Sequence, residues 1–122
     1  MKTFFLLFLI VILTACASEG DPTETVESYL KARVESNADE LRSLACAEWE
    51  SQAALQADSF RSMDARLEDL ACTTGDEDGD YTLVSCDGRI VTTYNGETRE
   101  WELGTYRLLQ EDGEWKMCGE AD

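Results

Sequence analysis

The chain has 122 residues, 26 acidic and 10 basic, with a formal charge of −16. That length supports one compact domain, and that charge excludes nucleic-acid binding, which needs a basic footprint. The absence of histidine removes Ser-His-Asp and Cys-His catalysis in their usual forms, together with the commonest transition-metal ligand.

Met1-Lys2-Thr3 is a short positive start, and residues 4–13 are an unbroken apolar run. A spanning helix needs about 20 apolar residues, so this run suits the core of a signal peptide instead. Leu13-Thr14-Ala15-Cys16 follows at once. This string resembles the lipobox of bacterial lipoproteins. The resemblance implies a signal peptide over residues 1–15, cleavage before Cys16, diacylglycerol on its thiol and acylation of the new amine. Removing fifteen residues from 122 leaves 107. Residues 16–20 then form a lipidated tether and residues 21–122 the domain. The expected location is the extracytoplasmic face of a cell or outer membrane, held by lipid. The acidic surface repels anionic headgroups and leaves anchoring to the acyl chains.

Asp21-Pro22-Thr23-Glu24 reads as a helix start, with Asp21 as cap and Pro22 in the first turn. Val26, Tyr29, Leu30 and Val34 follow at helical spacing. Glu27 and Lys31 pair at i, i+4 on the wet side. Asn37-Ala38-Asp39 marks a break and a new cap. Leu41, Leu44, Ala45, Trp49, Ala53 and Phe60 continue the helical period to about Met63, as one long helix or two short ones.

From there the pattern is of strands. Residues 66–73 predict a first strand and 74–80 a polar turn. Residues 81–94 predict a second strand, bulged at Asp87-Gly88. Asn95-Gly96 signals a two-residue hairpin, because both central residues of a type I′ turn need positive φ. Residues 97–109 predict the third strand, Glu111-Asp112-Gly113 a turn, and residues 114–119 the last strand. The hairpin sets a register in which Ile90 faces Trp101, and Ile90, Trp101 and Leu103 share one sheet face. Trp115 and Met117 join that face across the next hairpin. Helices followed by an antiparallel meander make an α+β fold with a four-stranded sheet.

Beyond Cys16, four cysteines remain: Cys46, Cys72, Cys86 and Cys118. An even count in a small exported domain reads as two disulfides, and the competing four-cysteine zinc site lacks a C-x-x-C pair. In a meander the second and fourth strands are not neighbours, so Cys86 does not reach Cys118. The expected bridges are Cys72–Cys86, around the acidic turn, and Cys46–Cys118, from helix to last strand.

A wider resemblance rests on Pro22…Val26-Glu27-Ser28-Tyr29-Leu30, Asp39-Glu40-Leu41…Leu44 and Tyr106-Arg107-Leu108-Leu109…Glu111-Asp112-Gly113-Glu114-Trp115-Lys116-Met117. In order of elements this resembles small exported members of the nuclear transport factor 2-like superfamily. The resemblance implies a curved sheet wrapped around helices as a cone. Relatives use the mouth of the cone for catalysis, for ligands or for protein association. No catalytic residue carries over to this chain.

The aromatic residues Tyr29, Trp49, Phe60, Tyr94, Trp101, Tyr106 and Trp115 read first as core. In a cone the core wall is also the pocket wall, so Tyr29, Trp49, Phe60, Trp101, Tyr106 and Trp115 are pocket candidates. Asp69 and Glu102 have apolar chain neighbours, but strand alternation points them outward. Asp76, Asp78 and Asp80 have the first spacings of a calcium loop. Tyr81 stands where glycine is needed and Asp87 where glutamate is, so a solvated turn is the simpler reading. No cofactor is expected. These readings converge on a membrane-anchored envelope module, non-catalytic, that binds a small molecule or an envelope protein. The alternatives are a small acid–base enzyme using a carboxylate and a tyrosine in the cone, and weak divalent-cation binding at residues 76–80.

Overall fold

The computed structural model describes residues 20–121; the signal segment, Cys16 and most of the tether lie outside the described residues. Three helices precede five strands: α1 (Pro22–Val34), α2 (Ala38–Leu44), α3 (Glu50–Gln56), β1 (Asp64–Asp78), β2 (Tyr81–Tyr94), β3 (Glu97–Glu102), β4 (Thr105–Glu111) and β5 (Glu114–Ala121). No described helix is long and apolar enough to cross a membrane.

The helix starts follow from their caps. The Asp21 side chain accepts from the Thr23 N–H at 3.0 Å ahead of Pro22, satisfying a donor that the first turn leaves free. α1 ends where Ser36 takes a left-handed φ of 56° and Asn37 N–H donates back to the Ala32 carbonyl at 2.9 Å. Asn37 then caps α2 by accepting from Glu40 N–H at 3.2 Å. The predicted stretch to Met63 is thus broken into α2 and α3. The link between them is extended at Ala45, which bridges Met117 of β5 in parallel.

The sheet runs β1-β2-β4-β5, with β3 also on β2. The predicted third strand over residues 97–109 is not continuous. It bends at Leu103-Gly104, so that β3 pairs the second half of β2 and β4 pairs the first half. The joint is closed by Cys86 N–H donating to the Gly104 carbonyl at 2.9 Å and Leu103 N–H to the Gly88 carbonyl at 3.1 Å. The meander order survives, and the strand count becomes five instead of four.

Bulges curve this sheet. Asp69 and Leu70 of β1 oppose Gly88 alone, between the pairs Glu68–Arg89 and Ala71–Asp87. The extra residue therefore sits on β1, not on β2 as predicted. Gly75 and Asp76 oppose Leu83 in the same way, and Cys118 and Gly119 oppose Arg107. Each extra residue bends its strand and increases the local twist. β1 also runs on to Asp78, so the predicted polar turn over residues 74–80 shrinks to its last residues. The exposed end of this outer strand is acidic at Asp76, Glu77 and Asp78, and β2 supplies its ladder partners.

The concave face closes on α1. Val26, Tyr29 and Leu30 pack with Leu41, Val84, Leu108 and Met117, all 1% exposed or less. Full burial of such side chains contributes about 1.5–3 kcal/mol each. Two disulfides staple the domain: Cys46–Cys118 ties the α2–α3 link to β5, and Cys72–Cys86 joins directly opposed residues of β1 and β2 within the sheet. Both pairings are the expected ones.

Candidate functional site

A cleft of about 510 Å³ opens between the C-terminal end of α1, the turn after α3 and the bent arm of the sheet. That volume is in the usual range for small-molecule sites, roughly 300–1,000 Å³. Its apolar wall comes from Phe60, Met63, Ile90, Trp101, Leu103 and Tyr106. Strand alternation places Trp101 and Leu103 on one face, and the Asn95-Gly96 hairpin sets Ile90 against Trp101. Asn95 and Gly96 have φ of 51° and 76°, as that turn requires.

Trp101 is held in place. Its indole N–H donates to the Thr92 hydroxyl at 3.2 Å, the diagonal neighbour on the same face. The ring remains 49% exposed, so one side stays open to the cleft and to solvent. Tyr106 is buried, and that burial pushes its phenol pKa up, offset in part by a hydrogen bond at the Gly104 backbone.

Arg33 and Arg99 bring positive charge to the cleft, and Glu102 and Glu120 negative charge. Arg33 lies inside, with 20% of its side chain exposed, while Glu120 stands at the rim with 58% exposed. Their closest approach is 3.9 Å, beyond hydrogen-bond range. The Arg33 guanidinium carbon lies over Phe60, 5.2 Å from the ring centre. Its Nε is buried and has no hydrogen-bond partner among the described residues.

The six aromatic pocket candidates divide by place. Phe60, Trp101 and Tyr106 line the cleft. Tyr29 and Trp49 do not. Trp49 Nε1 donates to the Tyr29 hydroxyl at 3.1 Å, and that hydroxyl donates to Gln56 Oε1 at 2.5 Å. This chain of bonds ties α1 to α3 inside the core. Trp115 lines a shallower groove at the other end of α1, with Asp21, Thr25 and Leu44. Asp76 and Asp78 belong to β1 and Asp80 to the following turn. Among the described residues no three acidic or cysteine side chains converge as metal ligands. Asp69 and Glu102 are exposed; Asp69 pairs with Arg89 at 3.1 Å.

Among the lining residues not singled out from sequence are Arg33, Arg99, Met63 and Glu120. Arg33 had a signal: it lies four residues after Tyr29 and seven after Val26, on the buried stripe of α1. A cation on such a stripe invites a search for what it faces.

No family model and no curated protein matches the chain. Solved structures do. A designed nuclear transport factor 2-like protein bearing five substitutions is similar over 80% of this chain and 92% of its own, with TM-score 0.56 and 16% identity. A SEC-C motif containing protein from Rhodopseudomonas palustris, solved in solution, is similar over 84% of this chain and 83% of its own. Its TM-score is 0.56 and its identity 12%. The described domain has a nuclear transport factor 2-like fold: three helices against a curved antiparallel sheet, with two disulfides.

Proposed function

We propose that this chain is a lipid-anchored, extracytoplasmic module that binds a small molecule in the cleft between α1 and the bent arm of the sheet. One observation carries the binding reading. The cone is open at the Phe60–Trp101 end, where a filled cone would have left only a surface for protein contact. The lipobox string Leu13-Thr14-Ala15-Cys16 supports the anchor, and the two disulfides suit an oxidising compartment. Binding requires no catalytic group, in keeping with a chain that has no histidine and whose four cysteines beyond Cys16 are paired.

Native mass spectrometry of the full protein extracted from its own envelope tests both parts. The expected result is an acyl mass on Cys16 and a retained small molecule that Trp101→Ala abolishes. A lipoprotein mass free of any ligand, unchanged by extracts of the envelope, would move the function to protein association. An unacylated Cys16 would remove the anchor.

A further inference from the structure

We infer that the cleft ligand is an amphipathic organic carboxylate, with its charged group on Arg33 and its apolar body against Phe60, Ile90 and Trp101. This rests on the cleft being a binding site, as proposed above, and adds the ligand's chemistry.

The argument begins with unused donors. A guanidinium carries five N–H groups in a planar fork that matches a carboxylate. Among the described residues, the Arg33 fork has one ionic partner, Glu120 at 3.9 Å, and its Nε is buried, so its outer nitrogens are the ones a cleft ligand can meet. One long ion pair leaves most of the guanidinium fork's donor capacity open to a carboxylate in the cleft. Arg33 is also directed. Its guanidinium carbon lies over Phe60, and it sits in the last turn of α1, where the carbonyl end of the helix favours a cation.

The distribution of charge agrees. This chain has 26 acidic residues against 10 basic, yet two of the ten face one cleft. The cleft's carboxylates are rim groups: Glu102 is exposed, and Glu120 is 58% exposed and stands 3.9 Å from Arg33. Arg33 sits inside beside the aromatic wall, and Glu120 is the rim carboxylate that competes for it. A ligand entering the cleft thus meets a flat apolar slot ending in a cation. Trp101, hydrogen-bonded to Thr92, forms one side of that slot.

The test uses the full chain in lipid nanodiscs, with empty discs as the partition control. Three probes share one ring system: naphthoate, its neutral amide, and naphthylmethylammonium. Affinity is read by calorimetry. Naphthoate is expected to bind roughly tenfold tighter than the amide, the margin of one charge-assisted contact. Arg33→Gln is expected to erase that margin, bringing the naphthoate and amide affinities together. Glu120→Gln is expected to tighten naphthoate severalfold by removing the rival carboxylate. Should Arg33→Gln fail to fold, the wild-type ratio and Glu120→Gln decide alone. Equal binding of amide and naphthoate, or tightest binding by the ammonium, overturns the carboxylate assignment and leaves the cleft as a binding site. Binding of none of the three overturns both.

Discussion

Gly88→Ala is the substitution that most directly probes how the cone is built. Gly88 has a φ of 106°, a region closed to L side chains. An added Cβ would lie 2.6 Å from the backbone oxygens of both Glu68 and Asp69. Ordinary contact begins near 3.4 Å, so β1 and β2 must separate locally by nearly an ångström. Backbone strain at such a position costs about 1–3 kcal/mol. The separation also loosens ladder bonds beside the bulge and the Leu103-to-Gly88 bond at the sheet's bend, each worth about 1 kcal/mol net. The expected loss is about 3–5 kcal/mol, a large part of a small domain's 5–15 kcal/mol. Urea unfolding with the disulfides intact measures it, and the midpoint of thermal unfolding falls by on the order of 15–25 °C. Gly104→Ala is the control, because its Cβ would meet nothing within 4 Å; it is expected to change stability by less than about 0.5 kcal/mol. A Gly88→Ala loss below about 1 kcal/mol would show that the bulge relaxes freely and does not set the curvature.

The two disulfides are expected to differ in weight. Their sequence separations of 72 and 14 residues translate, in the chain-entropy model, to about 4.4 kcal/mol for Cys46–Cys118 and about 3 kcal/mol for Cys72–Cys86. Paired cysteine-to-alanine variants compared in urea give the order, and a larger loss for the shorter loop would contradict it. Tyr29→Phe keeps the ring but strands Trp49 Nε1 and Gln56 Oε1, at a cost of about 1–3 kcal/mol by the same unfolding assay. A neutral result there means that water replaces the hydroxyl. Burial raises the phenol pKa of both Tyr29 and Tyr106 above the ordinary 10.0. Raised values favour the protonated folded state, so this contribution is whole below the unfolded pKa and is lost as pH rises through the folded values. Stability should therefore fall above about pH 10, less steeply in Tyr29→Phe. Unfolding midpoints followed together with tyrosinate absorbance report it, and an unchanged slope in the variant would remove Tyr29 as a contributor.

Local chemistry with short reach was readable from sequence. Asp21, Pro22 and Asn37 announce caps because a side chain two or three residues away decides them. Asn95-Gly96 announces a hairpin because only positive φ closes that turn, and from it follows the Ile90–Trp101 pair. The disulfide partners follow from strand order alone. The bulge at Asp69-Leu70 was misplaced because a bulge belongs to a pair of strands, and Gly88 reports only that a backbone approaches closely. The break at Leu103-Gly104 goes with β2 pairing β3 along one half and β4 along the other, which no window along one strand contains. The site was harder still. Phe60 and Tyr29 look alike in sequence, yet one faces an opening and the other a neighbour's hydrogen bond. That division depends on where the sheet stops covering the helices. Arg33 was overlooked because charge was read as solvated, although its phase on α1 pointed inward.

β3 stands apart from the stapled part of the molecule. All six of its residues are exposed, its ladder runs to β2, and both disulfides lie elsewhere. It also carries Trp101 and Arg99, the outer wall of the cleft. The proposed ligand site thus lies partly on a strand that neither disulfide holds. Amide protons of β3 should exchange with solvent through small local openings, while those of β1, β4 and β5 wait for larger ones. A molecule that fills the cleft must hold β3 shut, spending part of its affinity on order. Slowed exchange in residues 97–102 would then signal occupancy even where the ligand itself escapes detection.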